Sequence, residues 1–418
     1  MHKLEIKLKQ HTPVIHFQHD QEGATLRASE VKPKLDKFII KTEFGDDFEK
    51  CKQYLIGYSP DSKKIKLLKE KFDKGYRALD YKIRIEAKNV LVWDARNIPL
   101  YFGNMPSKDD VNYKDKLLTF SPDSSPVTMT FFSFKEDLIK LIDDQIALFF
   151  MLHNFGTRQS KGFGSFCREG YDSKAEQILK GKNYAKFTWK ADNKTFGTKD
   201  LYVVLFSDID FFYKSLRSGV NQNGVYFRSL MYFYAKSPRI NSYWDKRAIR
   251  YKFQHFTPNM NEDKGEEYDQ DHDGDPRIDK AKMFRDMLGL SSPQTWKAYN
   301  DTITKKHNPQ AGEEEITRFK SPLTIKPIYD AAQRTFKVFL LPEQIPDRFK
   351  GAEFEIFSST KSESLKMSTP TVFDVDDFLK FVANSKVEVI RRLQGQPEGR
   401  IRTTLESIYN QIHYVEGK

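Results

Sequence analysis

A glycine-rich stretch in the first half of the chain carries residue types that bind phosphate. Residues 156–165 read GTRQSKGFGS and follow an apolar run. Glycines let a backbone approach a ligand closely, successive turn N–H groups form anion-binding concavities, and arginine and lysine add charge. A tight helix-to-strand connection with solvated cations has the same pattern, so the stretch alone leaves both interpretations open. The candidate phosphate-binding residues in it are Gly156, Arg158, Lys161, Gly162, Gly164 and Ser165.

A second group of cations lies early in the chain. Residues 24–40, ATLRASEVKPKLDKFII, place apolar residues at helical spacing. Ser29 and the Lys32-Pro33 pair predict a cap, with the helix proper starting close to Pro33. The cations of this segment either face RNA phosphates or are solvated, and the pattern fits both. They are Arg27, Lys32, Lys34 and Lys37.

The charge balance favours a polyanionic partner. Lys and Arg number 69 against 58 Asp and Glu, a formal net charge of +11, which suits nucleic acid or an anionic surface. A hydrophobic content of 39% over 418 residues indicates a folded chain of about two or three domains. No apolar run approaches the roughly 18 residues that span a bilayer, and the N-terminus lacks the apolar segment of a signal peptide. We therefore expect a cytoplasmic protein without a membrane partner.

An acidic stretch, residues 262–279, is the best candidate for a metal site. Asp269, Asp271, Asp273 and Gly274 match the first half of a calcium-binding EF-hand loop. The twelfth position of that loop is Lys280, where calcium requires a bidentate Glu. The cation favours a solvated acidic loop, so the sequence predicts neither a metal nor a cofactor.

Signals for catalysis are weak. His11, His16 and His19 lie near the first strand. Histidines can act as the general acid and base in metal-independent RNA cleavage, although such histidines more often form structural hydrogen bonds. The two cysteines, Cys51 and Cys167, provide neither a disulfide framework nor a Cys-based zinc site. Walker lysine loops, nucleophile elbows and H-E-x-x-H motifs are absent. Nothing in the sequence specifies an enzyme.

The elements that must position the glycine-rich stretch follow a recognisable order. Alternating apolar residues predict strands at 4–8, 81–93 and 127–134, and a further strand after residue 165. Helical spacing predicts helices at 24–40 and 135–153. The resulting βαββαβ order is that of ferredoxin-like or RRM-like folds.

The second half repeats this pattern loosely. We predict strands at 201–206, 323–328, 336–341 and 354–357 and helices in 208–255, 372–393 and 401–414. The polar segment 170–198 is the expected domain boundary, and 97–125 is an expected polar insertion. The prediction is thus an α+β protein of tandem ferredoxin-like (RRM-like) domains with long insertions, residues 1–180 and 198–418.

Three motifs, in this order along the chain, resemble a known family. Residues 12–13 and 24–32 resemble the TP…LR.SSIRG segment of the first subunit of the type III-B Cmr complex. Residues 156–165 resemble the G-x-R-x-x-[RK]-G-x-G-S loop of RAMP proteins, the RNA-binding subunits of CRISPR effector complexes. Residues 318–323, RFKSPL, resemble the R-x-x-S-P-L strand entry of the same first subunit. Lys32 and Pro33 stand where the family has arginine and glycine.

The resemblance implies a non-catalytic subunit that holds the 3′ part of the CRISPR RNA and the target RNA paired with it, beside other RAMP subunits. It also implies that the basic helix and the glycine-rich loop line one groove. Contacts to phosphate accept every guide sequence, and base pairing supplies specificity. Because the superfamily includes cleaving members, a CRISPR RNA-processing endoribonuclease with His16 and His19 at its site is the main alternative. A scaffold that binds only proteins is a third.

Overall fold

The computed structural model describes residues 1–15, 25–94, 117–120, 126–191, 198–253, 280–296, 299–310 and 312–417. His16 and His19, the acidic stretch 262–279 and most of the insertion 97–125 lie outside the described residues. Within the described part of the chain, no helix is both long and apolar enough to cross a membrane.

The first half is built on a four-stranded antiparallel sheet. The strand order is β3-β6-β1-β7, so the first strand lies between the third and the fourth in chain order. Helices α1 and α4 pack on this sheet and on each other. The elements are β1 (His2–Gln10), β2 (Val14–Ile15), α1 (Ala28–Phe44), α2 (Phe48–Cys51), α3 (Ser62–Asp73), β3 (Lys82–Glu86), β4 (Leu91–Asp94), β5 (Leu117–Phe120), β6 (Val127–Ser133), α4 (Glu136–Leu152) and β7 (Phe166–Arg168).

Alternation and helical spacing predict most of these elements correctly. In β1 the side chains of Ile6 and Leu8 are buried and those between them are not, which confirms a strand with one buried face. In α4 the buried Ile142, Ile146 and Phe149 lie on one helix face. The three- and four-residue apolar spacing therefore identifies the helix that leads into the glycine-rich loop.

Helix α1 begins earlier than its proline predicts. The amides of Glu30 and Val31 each donate to the Arg27 carbonyl at 3.0 Å, so helical hydrogen bonding starts at Ala28. Pro33 lies inside the helix, in its second turn. A proline inside a helix removes one backbone hydrogen bond and is usually unfavourable. Helix α1 nevertheless continues through Pro33, so this residue does not mark the helix start.

The predicted strand at residues 81–93 is two strands in different sheets. β3 is an edge of the four-stranded sheet, whereas β4 pairs with β5, which pairs with β2 in a three-stranded sheet. Between them Asn89 has a φ of 50°, a left-handed conformation that asparagine tolerates. β5 lies within the predicted polar insertion.

The second half contains a second four-stranded antiparallel sheet, β15-β16-β8-β19, and a mixed six-stranded sheet, β11-β12-β18-β17-β14-β13. The elements are α5 (Ala175–Ile178), β8 (Tyr184–Lys190), α6 (Thr198–Arg217), β9 (Val220–Gln222), β10 (Val225–Phe227), α7 (Leu230–Lys236), β11 (Tyr243–Trp244), α8 (Asp245–Lys252), β12 (Ala281–Lys282), β13 (Gln294–Trp296), β14 (Asp301–His307), β15 (Leu323–Asp330), β16 (Thr335–Pro342), β17 (Glu353–Ser358), β18 (Ser364–Ser368), α9 (Val375–Asn384), α10 (Lys386–Gln394), α11 (Arg400–Gln411) and β19 (His413–Val415).

The prediction of a strand at residues 201–206 is wrong. This segment lies in α6, where Leu201, Leu205, Ile209, Phe212 and Leu216 are buried at intervals of three or four residues. A short apolar run does not distinguish a buried strand from a buried helix, and only the longer period does.

Other predictions for the second half agree more closely with the structure. The strands at 323–328, 336–341 and 354–357 are confirmed as β15, β16 and β17. The helix predicted at 372–393 is divided into α9 and α10 at Ser385. The polar segment 170–198 contains β8, which pairs with β16 and β19. The whole is an α+β protein, as predicted.

Candidate nucleic-acid interface

A cleft of about 590 Å³ opens between the first turn of α1, the glycine-rich loop and a lysine from the second half. Three of the sequence-predicted residues, Arg27, Gly156 and Arg158, line it together. The full lining is Arg27, Ser29, Glu30, Gly156, Thr157, Arg158, Gln159, Ser160 and Lys320.

The start of α1 contributes positive potential to this cleft. Arg27 is the N-cap residue in an extended conformation, and its side chain caps no amide. The first amides of a helix have no intrahelical acceptor, and the helix dipole adds about half a positive charge at this end. A helix start of this kind suits an anion such as phosphate.

The loop backbone is held in a shape that leaves two amides open. Arg158 has a left-handed φ of 58°, and its guanidinium lies 5.6 Å from the ring centre of Phe163. The Thr157 amide donates to the Ile15 carbonyl at 2.7 Å. In contrast, the amides of Gln159 and Ser160 donate to no acceptor within the described residues. Such adjacent amides form a concavity for an anion.

The single carboxylate of the cleft is neutralised within the site. The Glu30 carboxylate accepts from the Gly156 amide at 2.9 and 3.2 Å and from the Lys34 ammonium at 2.9 Å. Lys34 also donates to the Gln159 side-chain oxygen at 2.9 Å. Lys34 therefore ties α1 to the loop and cancels the negative charge of Glu30, which leaves the cleft basic.

The later glycines of the loop serve packing. A Cβ on Gly164 would overlap the Phe155 carbonyl oxygen, and one on Gly162 would lie 3.0 Å from a Pro327 carbon. Both have positive φ. Ser165 is fully buried and donates to the Pro327 carbonyl at 2.7 Å. None of these three candidates lines the cleft; they shape the loop and join it to the second half.

Two predicted cations point away from the cleft. The Lys32 ammonium donates to Asp36 and to the Leu79 carbonyl, both at 2.8 Å, and lies over the Tyr81 ring. It occupies the other side of α1 because two residues beyond Glu30 correspond to a rotation of about 200°. Lys37 is exposed on α1 and does not line the cleft.

Lys161 is a third predicted cation that does not line the cleft. Its ammonium is buried over the Tyr213 ring and has no hydrogen-bond partner in the part of the chain that the structure describes. Burial, with Arg217 and Arg158 nearby, holds the pKa of Lys161 well below its usual value. The sequence does not predict this, since the charge of a loop lysine gives no direction to its side chain.

The other two motifs that resemble the family, residues 12–13 and 318–323, contact the loop or line the cleft. Thr12 donates to the Gly162 carbonyl at 2.7 Å and accepts from the Ser165 amide at 2.9 Å, and the Pro13 carbonyl accepts from the Gly164 amide at 2.8 Å. Residues 12–13 are thus an anchor for the loop. Lys320, from the 318–323 motif, reaches the cleft and pairs with Glu343 at 3.0 Å. Its position in that motif was the signal that could have identified it.

A line of buried polar contacts fixes the loop against β15. Asn154 donates to the Ile325 carbonyl at 2.8 Å. The fully buried Lys326 ammonium donates to the carbonyls of His153 at 2.9 Å and Phe166 at 2.8 Å. Burial lowers the pKa of Lys326 to about 7. The cleft is therefore held in place by both halves of the chain.

His11, one of the three candidate catalytic histidines, is fully buried at this junction. Its Nδ1 accepts from the Tyr329 amide at 3.0 Å, and its Nε2 lies 2.8 Å from the Cys167 sulfur. Burial lowers the pKa of His11 to about 3 and raises that of Cys167 to about 12. These groups are neutral and inaccessible at neutral pH, which suits a structural role. No cluster of metal-ligating side chains occurs among the described residues.

Comparison with known proteins identifies the family. Residues 1–220 match the Cmr1 N-terminal domain and residues 226–405 match the Cmr1 C-terminal domain. The crystal structure of Cmr1 from Pyrococcus furiosus (apo form) is similar at 11% identity and a TM-score of 0.36, over 83% of this chain and 90% of that one; a score this low supports no further conclusion. No curated protein sequence matches the chain. Because the two domain models cover nearly all of it, the chain belongs to the Cmr1 family of RAMP-type subunits of the type III-B Cmr complex.

Proposed function

We propose that the chain is a non-catalytic, cytoplasmic RNA-binding subunit of the type III-B CRISPR Cmr complex. It holds the 3′ part of the CRISPR RNA and the paired target RNA, and other RAMP subunits are its protein partners. The observation that carries the proposal is the cleft, which Arg27, Arg158 and Lys320 line together with Gln159 and Ser160.

The chemistry of the cleft suits a nucleic-acid backbone. Guanidinium groups bind phosphate through paired N–H donors, and the open amides of Gln159 and Ser160 add donors without charge. The helix start adds further positive potential. None of these groups depends on the base, so they bind any guide sequence, as a subunit of a guide-directed complex requires.

The ten predicted RNA-binding residues divide into two roles under this proposal. Arg27, Gly156 and Arg158 line the cleft, together with Lys320. The others support the site or lie beside it: Lys32, Lys34, Lys37, Lys161, Gly162, Gly164 and Ser165.

We also infer that the two halves are tandem ferredoxin-like units with long insertions. In each four-stranded antiparallel sheet the first strand lies between the third and the fourth, with helices in the two crossovers. This order supports the split βαβ arrangement in both. With β8 as the first strand of the second sheet, the boundary between units falls near residue 180 and the second unit begins before residue 198.

RNA binding by matched variants tests the cleft. A labelled CRISPR RNA, alone and paired with its target, is titrated with the wild type, with Arg27→Gln/Arg158→Gln, and with Lys366→Gln/Lys386→Gln. The control pair is exposed and outside the cleft. Each lost phosphate contact weakens binding across all sequences and reduces the salt slope by about one, so we expect the cleft variant to bind at least tenfold more weakly and the control to bind within about twofold of wild type.

The same titration separates the competing functions. Unchanged affinity of the cleft variant would refute the proposed RNA site and favour a scaffold that binds only proteins. Specific cleavage of the RNA by the wild type without added metal would refute the non-catalytic role and support an endoribonuclease, in which case His16 and His19 are the first residues to replace.

A further inference from the structure

Helix α3 presents an unusually dense group of lysines. Six lie within twelve residues, and the short acidic side chain of Asp61 caps the helix start by accepting from the amides of Lys63 and Lys64. Phe72 is buried and Ile65 and Leu68 are half-buried, so one face of the helix packs on the protein. The remaining faces carry the α3 lysine surface, which consists of Lys63, Lys64, Lys66, Lys69, Lys71 and Lys74, all exposed.

Within the described residues, the α3 lysine surface is a group of neighbouring lysines without an ion-pair partner. None of its six ammonium groups makes an ion pair with a described residue, although Glu70 is on the same helix. By contrast, Lys34, Lys140 and Lys214 pair with a carboxylate four residues earlier. Like charges three or four residues apart destabilise a helix, so the stability of α3 does not account for this composition.

The surface is remote from the cleft. The cleft lies at the first turn of α1, whereas α3 is attached near the last turn of α1. There Arg77 pairs with Asp46 at 2.6 Å, and the Phe72 ring lies 5.5 Å from that of Phe48. The 17 residues of α1 separate the two places by about 25 Å at 1.5 Å per residue.

The composition indicates which partner fits. Protein interfaces are depleted in lysine and enriched in arginine and aromatic residues, and α3 contains no arginine. A lysine ammonium is a compact, hydrated charge that suits phosphate. The 12 residues of α3 extend about 18 Å, which spans about five phosphates at roughly 3.4 Å per nucleotide of a strand. Tyr76, two residues after Lys74 and 71% exposed, offers a ring on which an unpaired base can stack.

We propose that the α3 lysine surface binds the sugar-phosphate backbone of RNA at a second site, separate from the cleft. Binding there neutralises the unpaired ammonium groups and releases counterions from the RNA, so it is independent of sequence and weakens with salt. Because this surface is separate from the cleft, the proposal of a second site does not depend on RNA binding in the cleft.

Charge removal with a matched control tests this site in the full-length protein. The α3 variant is Lys63→Gln/Lys66→Gln/Lys69→Gln/Lys71→Gln. The control removes four exposed, unpaired lysines elsewhere: Lys180→Gln/Lys182→Gln/Lys366→Gln/Lys386→Gln. Glutamine keeps helix propensity, and both variants lose the same net charge. We expect the α3 variant to bind a labelled single-stranded RNA at least tenfold more weakly, with a salt slope lower by about three, and the control to bind within about threefold of wild type.

The outcomes distinguish this site from the cleft. If the α3 variant loses affinity and Arg27→Gln/Arg158→Gln does not, the lysine surface is supported while the cleft proposal fails. Equal binding by the α3 variant and its control would overturn the lysine-surface proposal. It would also be overturned if the α3 variant bound RNA normally and instead lost association with the other Cmr subunits, since the surface would then be a protein contact.

Lysine acetylation of the wild type provides a second measurement that needs no substitution. With RNA bound, we expect acetylation of Lys63, Lys66 and Lys71 to fall several-fold relative to Lys366 and Lys386. Equal acetylation with and without saturating RNA would contradict the proposal.

Discussion

The ammonium of Lys326 donates a hydrogen bond of 2.8 Å to the backbone carbonyl of Phe166, and thereby joins β15 of the second half to β7 of the first. The same ammonium donates to the His153 carbonyl at the end of α4. A single buried side chain thus spans both ends of the glycine-rich loop, because His153 precedes the loop and Phe166 follows it. The position of the loop depends on the second half of the chain.

Replacement of Lys326 by methionine is expected to destabilise the protein. Methionine fills a similar volume but donates no hydrogen bond, so two buried carbonyls lose a donor at about 1–3 kcal/mol. Urea unfolding at pH 8 measures the difference, with the exposed Lys366→Met as the control. A Lys326→Met protein as stable as the control would show that the ammonium contributes nothing at the junction.

The stability of the protein is expected to fall in acid through His11. Its pKa is about 3 in the folded protein and near 6.5 in the unfolded chain, so between these values the unfolded state binds a proton that the folded state does not. Neutral His11 contributes fully to the free energy of unfolding above pH 6.5. This contribution is lost as the pH falls towards 3, at up to about 1.4 kcal/mol per pH unit. Protonation at Nδ1 also removes the acceptor of the Tyr329 amide.

The His11→Asn variant isolates this effect, since the asparagine side-chain oxygen can still accept from Tyr329. Between pH 6.5 and 4.5 we expect the wild type to lose about 2 kcal/mol more than the variant by urea unfolding. His153, whose pKa burial lowers to about 4, is present in both proteins and cancels. Parallel pH profiles would exclude His11 as the group responsible.

Substitution of Gly164 by alanine is expected to disrupt the loop. The new Cβ would overlap the Phe155 carbonyl oxygen, and the φ of 66° is unfavourable for alanine. Backbone must move, at a cost of about 3 kcal/mol or more. Gly170→Ala is the matched control, since φ there is 80° and no atom lies within 4 Å of the Cβ, which limits its cost to about 1–2 kcal/mol. Thermal unfolding compares them; equal melting temperatures would contradict the overlap.

Replacement of Lys161 by methionine is expected to stabilise the protein, whereas the same replacement at Lys326 destabilises it. Its amine is buried without a hydrogen-bond partner among the described residues, and exchange of a buried, unsatisfied polar group for an apolar group of similar volume stabilises by about 1 kcal/mol or more. Because the ammonium does not line the cleft, RNA affinity should stay within about twofold of wild type. A loss of affinity comparable to that of Arg158→Gln would return Lys161 to the RNA-binding residues.

Local pattern was sufficient for much of the fold. The alternation in β1, the helical spacing in α4 and the strands β15 to β17 follow from apolar periodicity, because each of these elements buries one face or one continuous run. The motif at residues 156–165, with residues 12–13 and 318–323, was sufficient for the family. These features are visible in sequence because they depend on neighbours within a few residues.

The errors have two causes. The start of α6 is a short run of consecutive apolar residues, as in a buried strand, and only the spacing of buried residues over its full length identifies the helix. The direction of a cationic side chain, in contrast, is not encoded locally: Arg158 faces the cleft, whereas Lys161, three residues later, points towards Tyr213. Residue types and spacing thus determined that the loop is basic, glycine-rich and typical of its family. Only the tertiary structure decided which cations face the cleft. β15, more than 150 residues away in sequence, pairs with the loop backbone at Lys161, and Tyr213 of α6 covers the Lys161 ammonium.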